Sequence, residues 1–198
     1  MVQDNWKRVK LENILTPSKI AAKISPLIDY RQVTVRMNHK GLILREEKLG
    51  QNIKSNQWFV KKNQFVLSRI DARNGAMGIV PPELDGAIVT NDFLRFDIDE
   101  NQVNIRFFNF LTRTDNFIHQ CNRASEGTTN RKRLRPDLFL KIEISLPNLN
   151  DQKRIVEYLD FLWGKFDEMK RHQEETELEI QVLMSKILTK TFLKDINE

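Results

Sequence analysis

The sequence predicts an α+β fold: a mixed-strand domain over residues 1–147, then one long C-terminal coiled-coil helix over residues 148–198. Three observations lead there. Apolar residues in the first part recur mostly with a period of two rather than 3.6. After Pro147 they follow a seven-residue repeat that no proline interrupts. The charge divides at the same place. Residues 1–147 hold 24 Lys+Arg against 16 Asp+Glu, a net +8, and residues 148–198 hold 8 against 11, a net −3. A basic body with a slightly acidic tail points to a polyanion meeting the body and not the tail.

The chain of 198 residues is long enough for one full core plus an appendage, and its 40% apolar and 30% charged residues are ordinary for a globular protein. It holds no apolar run long enough for a membrane span, and the Met1–Trp6 segment has no apolar signal core. The single Cys121 cannot form an internal disulfide, and His39, His119 and His172 lie too far apart for metal-ligand spacing. A reducing cytoplasm fits this composition.

Taken in order, a short helix is expected near Leu11–Leu15. Gln32–Arg36 alternates and is β-branched, so it reads as a strand. Residues 64–68, 78–80, 86–90 and 93–98 are further short strands. Turn chemistry separates them at Lys40-Gly41, Asn74-Gly75, Pro81-Pro82 and Asp85-Gly86. One helix is expected over about 103–118, with Ile105, Phe107, Phe108, Phe110 and Leu111 on its apolar face. Ile142, Ile144 and Leu146 alternate with polar residues and read as a last strand.

Two segments of the body look built for a ligand. In Ser68–Ala76 a strand ends on Arg69, Arg73 and Asn74 beside a glycine turn. Arginine pairs with guanine edges and asparagine with adenine edges, and both reach phosphates. A local ion pair of Arg69 or Arg73 with Asp71 is the plainer alternative. Ser125–Arg135 carries Thr128, Asn130, Arg131, Lys132 and Arg133, with four cations in five residues at 131–135. Such charges favour an anionic partner, although a solvated basic loop has the same composition.

In the tail, Ile155, Leu159, Leu162, Phe166, Met169, Gln173, Thr176, Ile180, Leu183 and Ile187 are spaced alternately by four and three. That is the a/d spacing of a coiled coil. Asn148-Leu149-Asn150-Asp151 supplies an asparagine cap and, in Asp151, a first-turn acid, and Gly164 costs about 1 kcal/mol relative to alanine. A rod of roughly 65 Å cannot bury its seam on a body of this size, so the seam calls for a helix from another chain. Packing back onto its own domain is the alternative. The polar Gln173 and Thr176 at mid-seam would fix register.

The order of these pieces resembles the specificity subunits of type I restriction-modification systems. Trp6-Lys7-Arg8-Val9-Lys10-Leu11 is similar to the family's opening. Ser68–Val80 together with Thr90-Asn91-Asp92-Phe93 is similar to one branch of its target-recognition domains. Gly127-Thr128-Thr129-Asn130-Arg131, then Ile144-Ser145-Leu146-Pro147 and Asp151-Gln152-Lys153-Arg154-Ile155, resembles the step from recognition domain to spacer helix. The resemblance implies a non-catalytic subunit that binds double-stranded DNA sequence-specifically and directs methylation and cleavage by its partners. Full subunits of the family carry two recognition domains and two spacer helices, so one of each implies a half-subunit. Two copies would restore the pair, which implies a bipartite, palindromic target. Modification (methyltransferase) subunits are the implied protein partners, with a restriction subunit beside them left open. S-adenosylmethionine, ATP and magnesium are implied on those partners, with no cofactor in this chain.

Catalytic motifs do not offer a strong rival. Pro81-Pro82 lies between Val80 and Glu83, unlike the Asn/Asp-Pro-Pro-aromatic motif of an amino-methyltransferase. Asp29 with Glu46-Glu47-Lys48 is the one candidate set for a metal-assisted nuclease. A different class remains open: a coiled-coil interaction protein whose basic domain binds an acidic protein or RNA.

Overall fold

A computed structural model describes residues 6–128 and 132–193. The chain divides into two compact units, Met1–Lys153 and Arg154–Glu198. No described helix is long and apolar enough to cross a membrane.

In the first unit the strands run β1 (Lys7–Lys10), β2 (Leu15–Pro17), β3 (Ala21–Ala22), β4 (Asp29–Arg36), β5 (Gly41–Leu49), β6 (Gln57–Phe59) and β7 (Phe65–Ser68). They continue with β8 (Met77–Ile79), β9 (Ile88–Thr90) and β10 (Phe93–Ile98). The helices α1 (Ile105–Leu111) and α2 (Asp115–Arg123) follow, then β11 (Ser125–Glu126), β12 (Arg133–Leu134), α3 (Pro136–Leu140) and β13 (Glu143–Leu146). Helix α4 (Leu149–Leu193) begins in this unit and forms the second.

Two sheets dominate, one ordered β3-β6-β9-β4-β5 and one β2-β10-β7-β8. The sequence-predicted strands at 32–36, 64–68, 78–80, 86–90, 93–98 and 142–146 all fall on observed ones. β5 was not among the expected strands. Its Arg45-Glu46-Glu47-Lys48 reads as a polar linker, yet it pairs along β4 from Arg36↔Gly41 to Asp29↔Leu49. It is an edge strand, and charges there discourage pairing with other chains. Of the nuclease candidates, the register puts Glu47, opposite Arg31, on the same face as Asp29, and Lys48, opposite Tyr30, on the other face. Glu46 opposes Gln32, three residues along β4 from Asp29, or about 10 Å.

The expected single helix over 103–118 is broken. Thr112 closes α1, and Thr114 starts α2 by accepting the Phe117 N–H at 3.3 Å. A threonine side chain that bonds the backbone locally competes with helix continuation. The bend brings Phe108 and Phe117 together with Phe65, Phe96 and Phe139, all essentially fully buried. Their rings meet at centroid distances such as 5.1 Å for Phe65–Phe108 and 5.5 Å for Phe96–Phe139. Each buried phenyl contributes about 1.5–3 kcal/mol. The helix expected near Leu11–Leu15 is one 3-10 turn, Leu11–Asn13, and Leu15 already begins β2. A second core of Val33, Val35, Leu42, Val66, Val80 and Val89 fills the space between the two sheets.

Arg95 links β10 to the other sheet. It is 7% exposed, lies 5.0 Å over the Trp58 ring and donates to the Phe93 carbonyl at 2.6 Å. Burial pulls its guanidinium down to about 10.

The start of α4 follows the capping expectation. The Asn148 side chain accepts the Asp151 N–H at 3.0 Å and donates to the Asp151 carboxylate at 2.7 Å. Gln152, with no exposed surface, is tied to the body. It accepts the Asn104 N–H at 2.7 Å and donates to the Gln102 and Pro147 carbonyls at 3.0 and 2.8 Å. The helix then continues unbroken through Gly164. Within it Ile155, Leu159 and Leu162 are partly exposed, and Phe166, Met169, Gln173, Thr176, Ile180, Leu183 and Ile187 are exposed. Phe166 and Met169 show 63% and 66% of their surface. The Thr176 hydroxyl donates back to the His172 carbonyl at 2.8 Å.

Candidate nucleic-acid interface

Strand β7 ends at Ser68, and the chain turns back to β8 through a closed loop. The Ser68 hydroxyl accepts the N–H groups of Ile70 and Asp71 at 3.3 and 3.1 Å. A 3-10 turn, Ala72–Asn74, follows, and Gly75 closes it in the left-handed conformation at φ 70. Ala72 and Ala76 are buried, so the loop stands on an apolar floor. That leaves Arg69 and Arg73 partly exposed and Asn74 exposed on its outer side. Asp71 accepts from the Asn74 amide at 3.3 Å, so Asn74 takes part in the contact that the simplest local reading gave to an arginine.

The second basic segment meets the first, though Arg69 and Leu134 are 65 residues apart. The Leu134 N–H donates to the Arg69 carbonyl at 2.7 Å, while the Arg69 N–H donates to the Asp92 carbonyl at 2.8 Å. The Arg69 Nε also reaches the Leu134 carbonyl at 3.5 Å. Arg69 is therefore clamped between the Asn91-Asp92 turn and β12. Arg133 then pairs with the Asp92 carboxylate at 2.8 Å.

Thr128 and Lys132 flank the tip of the β11–β12 ribbon, with Thr128 exposed and Lys132 partly so. Asn130 and Arg131 lie outside the described residues. Two of the cations in the 131–135 run have carboxylate partners. Arg135 is held by Glu126 at 2.7 Å and Asp137 at 3.2 Å, and the Asp137 partnership raises its already high affinity for a proton. These pairs are exposed, so they orient the side chains without neutralising them for a polyanion.

The turn expected at Lys40-Gly41 is the Met37–Lys40 tip between β4 and β5, and it packs on the same loop, which the sequence did not indicate. The Asn38 N–H donates to the Asn74 carbonyl at 2.8 Å and the His39 N–H to the Gly75 carbonyl at 3.1 Å. Asn38 beside Lys40-Gly41 is a left-handed turn signal that could have marked the hairpin, but nothing in it tells where the tip docks. Helix α2 packs against the Ala72–Asn74 turn from another side. Burial and the nearby Arg113 charge hold the His39 imidazole below the usual histidine range.

The arrangement offers arginine, asparagine and threonine side chains on loops fixed by backbone bonds, beside several cations. No group of three or more potential metal ligands occurs among the described residues.

Known proteins place this architecture. The HsdS subunit of Thermoanaerobacter tengcongensis superposes with a TM-score of 0.77 at 20% identity, covering 94% of this chain and 49% of that one. A type I restriction-modification structure, from work on complex assembly and conformational transition, gives 0.76 at 21%, covering 95% and 50%. The S subunit of a type I system from M. genitalium gives 0.54 at 13%, covering 82% and 40%. The chain thus spans about half the length of the specificity subunits it resembles. No curated protein sequence matches it. The family model for the type I restriction modification DNA specificity domain matches residues 3–180. The chain belongs to the type I restriction-modification DNA specificity family, whose domains supply recognition rather than catalysis.

Proposed function

We propose that this chain is one recognition half of a type I specificity subunit, binding double-stranded DNA in a sequence-specific way through residues 1–147. The observation that carries the reading is the clamp at Arg69, which joins two basic segments distant in sequence into one surface. Arg69, Arg73, Lys132 and Arg133, with Arg131, supply phosphate affinity, and Arg73 and Asn74 read base edges beside Thr128 and Asn130.

The helix completes the assembly. Its exposed a/d seam is matched by the same seam of a second copy, antiparallel about a twofold axis, which makes two half-sites at a fixed separation. Modification subunits dock on this platform and bring S-adenosylmethionine, and a restriction subunit brings ATP and magnesium. This chain itself holds none of these cofactors.

Salt titration of duplex binding tests the reading. Affinity falls steeply between low and moderate salt because phosphate contacts release counterions. Arg69→Ala and Arg133→Ala each flatten that dependence by about one unit of slope. Binding that ignores both salt and these substitutions would sink the assignment, and equal preference for RNA or an acidic protein would favour the interaction-protein reading.

A further inference from the structure

The Met37–Lys40 tip is held against the Arg73–Asn74 turn through its backbone. Two backbone hydrogen bonds join them, from Asn38 to Asn74 and from His39 to Gly75. Asn38 and His39 both adopt the left-handed region, at φ 57 and 54, which closes a tight turn with the Lys40 N–H on the Met37 carbonyl at 3.4 Å.

The His39 ring lies directly over Gly75. A Cβ on Gly75 would come within 2.7 Å of the His39 Nε2. One strand further, a Cβ on Gly78 would come within 3.2 Å of the Gly41 Cα. Two glycines of the recognition loop and its strand therefore make room for this hairpin. The buried His39 Nδ1 has no hydrogen-bond partner among the described residues. A left-handed histidine and an unsatisfied buried nitrogen are both locally unfavourable, and such features persist mainly where position matters for function.

What the tip presents is chemically suited to a duplex. Asn38 and Lys40 are exposed, Met37 is 49% exposed and Arg36 is exposed at the strand end. An amide, two cations and an apolar side chain thus stand beside the Arg73–Asn74 turn.

We infer that the Met37–Lys40 tip is a third element of the DNA interface, with Lys40 on a phosphate and Asn38 on a base edge next to those read by Arg73 and Asn74. The inference rests on the duplex-reading proposal above.

It is tested with the full chain and a duplex enriched from a random pool. Lys40→Ala removes the cation, and Asn38→Gly removes the amide while keeping the left-handed backbone. Both positions are exposed, so the thermal melt stays unchanged. Lys40→Ala lowers the salt slope by about one. Asn38→Gly weakens binding roughly 5- to 100-fold or relaxes the preference at one base position. Arg73→Ala is the control. If Arg73→Ala weakens binding while both tip variants match the parent in affinity, slope and preference, the tip inference is overturned and the duplex reading stands. If Arg73→Ala, Arg69→Ala and Arg133→Ala also leave binding unchanged, both fall together.

Discussion

Gln152→Ala removes three hydrogen bonds, two of which tie the first turn of α4 to the loop before α1. The native side chain has no exposed surface and satisfies the Asn104 N–H and the carbonyls of Gln102 and Pro147. A buried donor left without a partner costs about 1–3 kcal/mol. Carbonyls tolerate partial satisfaction better, so the two acceptors together add about 1–2 kcal/mol. The lost methylene adds about 0.8 kcal/mol. The sum is about 3–6 kcal/mol, a large part of the 5–15 kcal/mol of a typical domain. With an m-value of about 2 kcal/mol/M, the urea midpoint falls by roughly 1.5–3 M. The fluorescence of Trp6 and Trp58 follows the transition.

Gln152→Glu separates hydrogen bonding from packing. A carboxylate accepts from Asn104 but faces two carbonyls without a proton to give. Burial raises its pKa, so the variant is closest to the parent at acidic pH and loses stability as pH rises through the folded pKa. A Gln152→Ala midpoint within 0.5 M of the parent, or a Gln152→Glu variant indifferent to pH, would refute the reasoning.

Other outcomes follow from the same geometry. His39 is held neutral by burial and by Arg113, so its folded pKa lies below the ordinary 6.5. The unfolded chain takes up a proton first as pH falls, and the His39 contribution is present above pH 6.5 and lost below it. The stability difference between pH 7.5 and 5.5 therefore shrinks in His39→Gln, and an unchanged difference contradicts the assignment. Gly75→Ala forces a side chain into both the left-handed backbone and the His39 ring, so it destabilises the domain and weakens DNA binding. Combining it with His39→Ala recovers part of both effects, and no recovery would mean that the steric contact is unimportant. Ile180→Asp with Leu183→Asp converts a dimer to a monomer in sedimentation at micromolar concentration, with the circular dichroism of the body kept. A parent chain that is already monomeric there contradicts the twofold pairing.

Much of the fold was legible because the pattern was local. Val33 and Val35 alternate with polar residues in β4, and Ile144 and Leu146 do so in β13. The Asn148-Leu149-Asn150-Asp151 run signals the start of α4 by itself. The heptad spacing marks the apolar seam of α4 from the sequence alone. What could not be read was decided by distant contacts. β5 hides under edge charges, and Thr114 breaks a run whose apolar spacing alone favours one helix.

The two basic segments were visible as residue types, but their meeting at Arg69 depends on Asp92 and Leu134. One cation in the basic total, Arg95, is buried against Trp58 and cannot face a polyanion. The Met37–Lys40 tip carried only a turn signal, and its docking became visible in the two hydrogen bonds to the Asn74–Gly75 backbone.

The central claim is that this chain reads DNA as half of a symmetric pair. Selection of bound sequences from random duplex DNA, using the full chain, tests it most directly. The account predicts enrichment of a palindrome whose two half-sites are separated by one fixed gap. Enrichment of a lone half-site without a dyad would contradict the pairing, and no enrichment at all would contradict the reader.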